Sequence, residues 1–141
     1  MKESLLSFNT RTPDKKREEW ARSLISKMET PLPKNRDEVY AKEQLYLLEK
    51  PSAELKLQAI RIGGLGIAAI PNEVFGITGI KIKEQSPFEL TMNIELANGA
   101  EGYIPPPEQH SLGGYTTWPA RSAALEVGAE PKIVEALLLS L

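Results

Sequence analysis

The sequence predicts an α/β or α+β domain, in which a small mixed sheet over about residues 53–98 is flanked by helices at both ends of the chain. Three patterns support this prediction. Apolar residues recur at helical spacing from Trp20 to Met28, and they alternate with polar residues from Ala53 to Ala59. Helical spacing then returns from Pro131 to Leu141.

Length and composition limit the domain organisation and the classes of function. At 141 residues with 41% hydrophobic content, the chain is long enough for one domain with a single core. We divide it into a helical lead-in, residues 1–52, and a part with the sheet, site loops and final helix, residues 53–141. Because the sequence has 17 basic and 19 acidic residues, it has no overall positive charge that would favour binding of nucleic acid. The absence of cysteine excludes disulfides, thiol catalysis and thiolate zinc sites.

No apolar run reaches the roughly 20 residues that a transmembrane helix needs. The first residues, Met1 to Ser4, do not show a basic region followed by an apolar core, so this chain carries no visible secretion signal. These residues therefore leave the compartment unknown.

Two helices are predicted near the start. Residues 1–11 are polar and lack periodicity, so no element is predicted there. Thr12 is the expected N-cap of the first helix and Pro13 its first residue, and the helix then runs over Asp14 to Met28. After a proline-rich connector, a second helix covers Arg36 to Leu48. Two short amphipathic helices have little core of their own, so we expect them to dock on another part of the chain.

The central region reads as strands. Leu55, Leu57 and Ala59 alternate with polar residues and predict a half-exposed strand. Gly63 and Gly64 supply a hairpin turn, after which Leu65 to Ile70 is apolar on both faces. The first strand should therefore lie outside the second.

The remaining elements follow from the same patterns. Val74 to Gln85 is predicted to be a helix, and Leu90 to Leu96 alternates as a third strand that ends at Asn98 and Gly99. Gly102 to Trp118 is predicted to be a long loop, of a kind that usually serves a site. Pro131 to Leu141 closes the sequence as an amphipathic helix.

Single residues give weak functional signals. Glu73 follows a buried strand, where open α/β folds place ligands, but its spacing alone favours a first-turn acid stabilised by a helix dipole. Tyr115 alone fits a half-buried packing residue with a solvated hydroxyl. His110 is the only histidine and reads as a solvated loop side chain, so the chain cannot form a histidine pair for a metal. Asn98 before Gly99 is first a turn signal and only second a ligand contact.

An ordered set of short motifs across residues 57–141 carries more information than any one residue. In chain order the motifs are Pro71-Asn72-Glu73-Val74-Phe75, Ser86-Pro87-Phe88, Thr91, Leu96-Ala97-Asn98-Gly99, Gly102-Tyr103-Ile104-Pro105 and Gly113-Gly114-Tyr115. Together they resemble the later part of the catalytic domain of the neutral/alkaline ceramidase-like family. The resemblance covers a little over half of the chain.

The resemblance implies a zinc amidohydrolase that cleaves the N-acyl bond of ceramide or of a related lipid amide. It assigns Glu73 and Tyr115 as zinc ligands, and Asn98, Tyr103 and His110 as contacts to the substrate. Zinc with an open coordination position would acidify water and polarise the amide carbonyl. The other two zinc ligands of the family are histidines from earlier in the domain.

The sequence departs from the family pattern at three points. Asn72 stands where the family usually has glycine, and Thr116 stands where it has an acid. The region that bears the two zinc histidines has no counterpart here, so we expect this chain to be the C-terminal portion of a larger catalytic domain and to be inactive alone. Its expected partners are a lipid amide substrate and either the missing N-terminal half or a second copy. The resemblance implies a secreted or periplasmic full-length protein.

Two other interpretations remain open at this point. One is a binding or scaffold module that keeps the fold and has lost the chemistry. The other is a free-standing, metal-independent enzyme that uses Glu73 and His110 as an acid/base pair.

Overall fold

The structure, a computed structural model, describes every residue from Met1 to Leu141. It contains six strands, which are β1 (Lys2–Asn9), β2 (Ser52–Ile62), β3 (Leu65–Ala69), β4 (Glu73–Val74), β5 (Leu90–Ile94) and β6 (Tyr103–Ile104). It contains five α-helices, which are α1 (Lys15–Ile25), α2 (Arg36–Glu49), α3 (Gly76–Gln85), α4 (Pro107–His110) and α5 (Ala129–Ser140). A short 3-10 helix covers Arg121–Ala123.

Four strands form the main sheet in the order β1-β2-β3-β5. β2 pairs antiparallel with both β1 and β3, whereas β5 pairs parallel with β3. The parallel pair is connected through α3, because parallel neighbours need a crossover rather than a hairpin. β4 and β6 form a separate two-stranded parallel sheet. The predicted mixed sheet with helices at both ends is confirmed.

The first strand contradicts the prediction that residues 1–11 have no regular structure. β1 pairs with β2 in a register that sets Leu6 opposite Leu55 and Phe8 opposite Ala53. β1 is thus the outer strand and β2 lies inside the sheet, so the sheet extends beyond residues 53–98. The sequence signal is weak because the strand's alternation is short, and the stabilising partner lies about fifty residues away, in β2.

The first helix begins later and ends earlier than predicted. Its N-cap is Asp14 rather than Thr12, because the Asp14 carboxylate accepts a hydrogen bond from the Arg17 backbone N–H at 2.7 Å. Pro13 therefore precedes the helix, and the last helical residue is Ile25 rather than Met28. The second helix matches the prediction within one residue at its end.

Two further boundaries differ from the prediction. Val74 belongs to a strand, because it pairs with Ile104, and α3 begins only at Gly76. The segment from Gly102 to Trp118 is not a loop throughout, since it contains β6 and α4. The hairpin turn is confirmed, although only Gly63 of its two glycines has a positive φ.

One face of the main sheet is covered by α5 and α3, and we call it the closed face. Leu55, Leu57 and Ile70 from the sheet side pack with Ile133 and Leu137 of α5 in one apolar cluster. The burial of these side chains provides the main stabilisation of the fold. The inward face predicted for the final helix is confirmed.

The opposite face of the sheet is uncovered. Its part on the end of β2, on β3 and on β5 is apolar, and we call this part the open face. The strand register places its side chains in adjacent rows on one side of the sheet. Leu90 is 65% exposed and Met92 49% exposed, which is unusual for large apolar residues on neighbouring positions. β5 is also an edge strand with no partner on its outer side. The open face consists of Ile60, Ile62, Leu65, Ile67, Leu90, Met92 and Ile94.

The helices α1 and α2 pack against each other beside the sheet. α2 is attached to the rest of the molecule by Glu43, whose carboxylate accepts hydrogen bonds from the backbone N–H and the guanidinium of Arg121. The expected docking on another part of the chain is thus observed for α2, at the 3-10 helix, whereas α1 packs on α2. None of the helices combines the length and apolar character that crossing a membrane requires.

Candidate functional site

The turn after β3 is held rigidly by backbone and side-chain hydrogen bonds. The Glu73 N–H donates to the Gly102 carbonyl at 3.0 Å, and the Glu101 N–H donates to the Pro71 carbonyl at 2.8 Å. Asn72 is fully buried, and its amide donates to the Glu101 carbonyl at 3.1 Å. The turn therefore fixes the direction from which the Glu73 carboxylate leaves the backbone.

Glycine is required at position 102 for this arrangement. Gly102 has a φ of 74°, and an added Cβ would lie 2.6 Å from the Ser122 carbonyl oxygen. This close approach lets the chain enter β6 directly beside β4. The parallel register then places Tyr103 opposite Glu73.

The loop that carries Tyr115 reaches the same place. Gly113 and Gly114 have φ angles of 73° and 96°, which lie in the left-handed region that favours glycine. The Tyr103 and Tyr115 rings meet edge to face, with centroids 5.7 Å apart. Tyr115 is 62% exposed, so its phenol faces solvent.

Glu73, Tyr103 and Tyr115 form what we call the Glu–Tyr–Tyr cluster. The neighbouring Glu73 carboxylate and then the Tyr115 phenol hold the pKa of the Tyr103 phenol well above its usual value. Tyr103 therefore stays protonated at neutral pH, opposite the Glu73 carboxylate in the β4–β6 register. The cluster gathers one carboxylate and two phenols, which are all oxygen donors suited to a hard or borderline cation.

The two other predicted substrate contacts have partners of their own. Asn98 lies in a left-handed turn with φ 64°, and its amide donates to the Gln58 side-chain oxygen at 2.6 Å. His110 ends α4, where its Nδ1 lies 3.4 Å from a guanidinium nitrogen of Arg11. Burial and the Arg11 charge lower the pKa of His110, so the neutral ring accepts this hydrogen bond. Arg11, rather than Glu73, is the side chain that His110 contacts.

Arg11 is a site-supporting residue that the sequence analysis missed. Its guanidinium donates to the Thr117 carbonyl at 2.7 Å and also to the Ala123 carbonyl. These bonds anchor the loop that bears Tyr115 to the segment after β1. A lone arginine in a polar stretch gives no sequence signal for this role, because the carbonyl groups that it binds lie more than a hundred residues away.

A cation site is incomplete within this chain alone. The structure contains no group of three or more histidine, cysteine, aspartate or glutamate side chains that could hold a metal ion. The Glu–Tyr–Tyr cluster supplies one carboxylate, whereas a zinc site is usually built from four ligands that include nitrogen or sulfur. The carboxylate and phenol oxygens of the cluster therefore fit part of the ligand set of a zinc site.

Comparisons with known proteins identify a shared fold. No family model and no curated protein matches the chain. A solved structure described as ceramidase complexed with C2 aligns with a TM-score of 0.50 and 15% sequence identity, over 62% of this chain and 14% of that one. A crystal structure of neutral ceramidase from Pseudomonas aeruginosa aligns with a TM-score of 0.47, 15% identity and the same coverage.

The first of these similarities confirms at the level of the fold the resemblance that the motifs predict. The alignment covers 14% of the ceramidase chain, so this chain spans about one seventh of that chain's length. The shared architecture is therefore that of a part of a ceramidase, built here as an α+β unit with a mixed sheet.

Proposed function

We propose that this chain supplies one half of a ceramidase-type zinc amidohydrolase site, with Glu73 and Tyr115 as metal ligands. The observation that carries the proposal is the Glu–Tyr–Tyr cluster, in which two separate loops bring a carboxylate and a phenol together beside β6. The motifs and the fold of the ceramidase structure support the same assignment.

Each residue of the cluster has a distinct role in this proposal. Glu73 offers a carboxylate on a rigid turn, and Tyr115 offers a phenol on the exposed loop. Tyr103 is a positioning residue, because it lies opposite Glu73 in the β4–β6 register, where its phenol can orient that carboxylate. When bound, zinc would supply a Lewis acid that polarises an amide carbonyl and acidifies water.

The substrate in this proposal is the N-acyl amide of ceramide or of a related lipid amide. The exposed Tyr115 loop leaves the cluster accessible to such a molecule. The two histidines that complete the ligand set come from a second polypeptide or from another part of a larger domain. The uncovered open face, whose large apolar side chains have no partner here, supports docking of that part or self-association.

Zinc binding by the purified chain tests the ligand assignment. Calorimetric titration should show weak, saturable binding, because only part of the ligand set is present. Glu73→Gln or Tyr115→Phe should weaken the affinity by about tenfold or more, and Tyr103→Phe should weaken it less. Glu84→Gln, which changes an exposed carboxylate of α3, is the matched control. Titrations of Glu73→Gln and Tyr115→Phe that superimpose on the wild type would refute the assignment.

An amidase assay tests the proposed reaction. The chain alone should not hydrolyse a ceramide with a fluorescent acyl group. Addition of a polypeptide that carries the two histidines should restore hydrolysis in the presence of zinc, and Glu73→Gln should abolish it. Zinc-dependent hydrolysis by the chain alone would show that a complete site forms without a partner.

A binding module without catalysis is the second candidate. The observation in its favour is the open face, whose large apolar side chains have no partner in this chain. In that case Glu73→Ala and Tyr115→Phe would leave the chain's interactions with partners unchanged, and zinc would have no effect on them.

A further inference from the structure

A cavity of about 560 Å³ opens between the start of α1, the start of α2 and the end of the Tyr115 loop. We call it the arginine cavity, and it is lined among others by Arg11, Arg17, Trp20, Arg36, Tyr40 and Trp118. Its volume lies within the usual range for small-molecule sites. None of the residues of the Glu–Tyr–Tyr cluster lines it, so it is separate from the proposed zinc site.

Three guanidinium groups of the arginine cavity have no carboxylate partner. Neither Arg17 nor Arg36 forms an ion pair, and the groups that bind Arg11 are backbone carbonyls and the neutral His110. The Arg11 Nε is also buried without any hydrogen-bond partner. Asp14 and Asp37 line the same cavity but do not pair with these arginines. Arg17 and Arg36 are exposed and Arg11 is half-buried, so three cationic groups without an ionic partner line one concavity, and the cavity favours an anionic ligand.

The aromatic side chains of the cavity orient two of these cations. The Arg17 guanidinium lies 3.7 Å from the centre of the Trp20 ring, and the Arg36 guanidinium lies 5.3 Å from the centre of the Trp118 ring. A guanidinium stacked on a ring keeps its N–H edge available for a carboxylate or phosphate. Tyr40 meets Trp118 edge to face at 5.4 Å, which adds an apolar wall.

We propose that the arginine cavity binds a small ligand with two parts, a flat apolar group and a carboxylate or phosphate group. The anionic group binds the N–H edges of Arg17 and Arg36, and the flat group packs against Trp20, Tyr40 or Trp118. Carboxylate and phosphate groups share one feature, which is a pair of terminal oxygens that accepts paired hydrogen bonds from an arginine.

The intrinsic fluorescence of the protein reports directly on this cavity. The chain contains two tryptophans, and both line the arginine cavity. Phenyl phosphate and benzoate are the probes, because each joins a flat ring to one of the two anions. Both should change tryptophan fluorescence in a saturable manner, and the tighter of the two identifies the preferred anion. Inorganic phosphate and benzyl alcohol, which each lack one part, should bind at least about tenfold more weakly.

Substitutions on the protein side complete the test. Arg17→Gln and Arg36→Gln should each weaken phenyl phosphate binding by about tenfold, since each removes a charge-assisted contact. Arg22→Gln, on the exposed side of α1, is the matched control and should bind like the wild type. Circular dichroism of each variant verifies that the helices are retained. The proposal is overturned if neither anion gives saturable binding, if benzyl alcohol binds as tightly as the anions, or if Arg17→Gln and Arg36→Gln behave like Arg22→Gln.

Discussion

The two faces of the main sheet differ in how they are completed. On the closed face, α5 and α3 bury a continuous apolar cluster, and Leu57 there is only 1% exposed. On the open face, side chains of similar size and type stand in three rows of the same sheet without a cover. Strand sequence alone does not distinguish them at β3, which is apolar on both faces. The difference is that the chain buries one apolar core and leaves a second apolar surface exposed to solvent.

Truncation of matched apolar residues on the two faces gives the largest expected effect. Leu57→Ala should lower the free energy of unfolding by about 2–5 kcal/mol, because it leaves a cavity in a fully buried cluster. Met92→Ala on the open face should change it by about 0.5 kcal/mol or less. Urea denaturation followed by circular dichroism measures both. Equal losses for the two variants would mean that the open face is covered in solution, for instance by a second copy.

The polar contact beneath the closed face tests how complete that core is. Glu130 is buried, and its carboxylate accepts from the Thr78 hydroxyl at 2.7 Å and from the Lys81 ammonium at 3.2 Å. Thr78→Val should lower the free energy of unfolding by about 1–3 kcal/mol, since it leaves the buried carboxylate with fewer donors. Thr30→Val, at an exposed threonine, should have little effect in the same denaturation experiment. If Thr78→Val leaves the free energy of unfolding unchanged, water donates to the Glu130 carboxylate in place of the threonine hydroxyl.

The Glu43–Arg121 contact, away from both faces, should give a smaller effect that depends on pH. Burial alone would raise the pKa of Glu43, but hydrogen bonds from Arg121 outweigh it and hold this pKa below 4.5. The ionised carboxylate therefore stabilises the folded state above that value, and its contribution disappears as the pH falls through the lowered pKa. Glu43→Gln should lower the free energy of unfolding by about 1–2 kcal/mol at neutral pH.

That difference between wild type and Glu43→Gln should shrink as the pH is lowered below 4.5. Denaturation curves at several pH values between neutral and acidic conditions measure it. A difference that stays constant over this range would assign the stabilisation to the shape of the glutamate side chain rather than to its charge. This contact lies outside both faces of the sheet, because it attaches α2 to the 3-10 helix.

A charge on the open face should give the smallest change in stability and a clear change in assembly. Met92→Lys should alter the free energy of unfolding by about 0.5 kcal/mol or less, because residue 92 is largely exposed. It should also reduce self-association and dye binding, since a lysine on an edge strand disfavours contact between copies. Sedimentation velocity and binding of a hydrophobic dye measure the two effects. A wild-type chain that is monomeric and binds no dye would contradict the assignment of the open face.

Local patterns predicted most of the fold correctly. The hairpin at Gly63, the second helix and the inward face of the final helix follow from turn chemistry and periodicity. β1 was missed because its stability comes from pairing with β2, a contact that local propensity does not contain. The start of α1 was misplaced because Asp14 and Thr12 are both acceptable caps, and only the observed hydrogen bond to Arg17 decides between them.

The candidate site was predictable only in part. The resemblance predicts Glu73 and Tyr115 as ligands of one zinc ion and Tyr103 as a substrate contact. Its position opposite Glu73 depends on the β4–β6 pairing, and strands of two residues give no clear signal in the sequence. Arg11 and the arginine cavity depend on contacts between the two ends of the chain, so no local pattern indicates them.

The connection between the segment after β1 and the segment before α5 affects how the protein is made. The Arg11 N–H donates to the Ala124 carbonyl and the Glu126 N–H donates to the Asn9 carbonyl, while Thr10 bridges to Leu125. During synthesis, the first strand leaves the ribosome long before these partners and α5 exist. Its apolar side chains therefore stay exposed during synthesis, and the core forms only after nearly the whole chain has emerged. Production of this protein should respond to chaperone supply and to slower translation more strongly than production of a helical bundle of similar length.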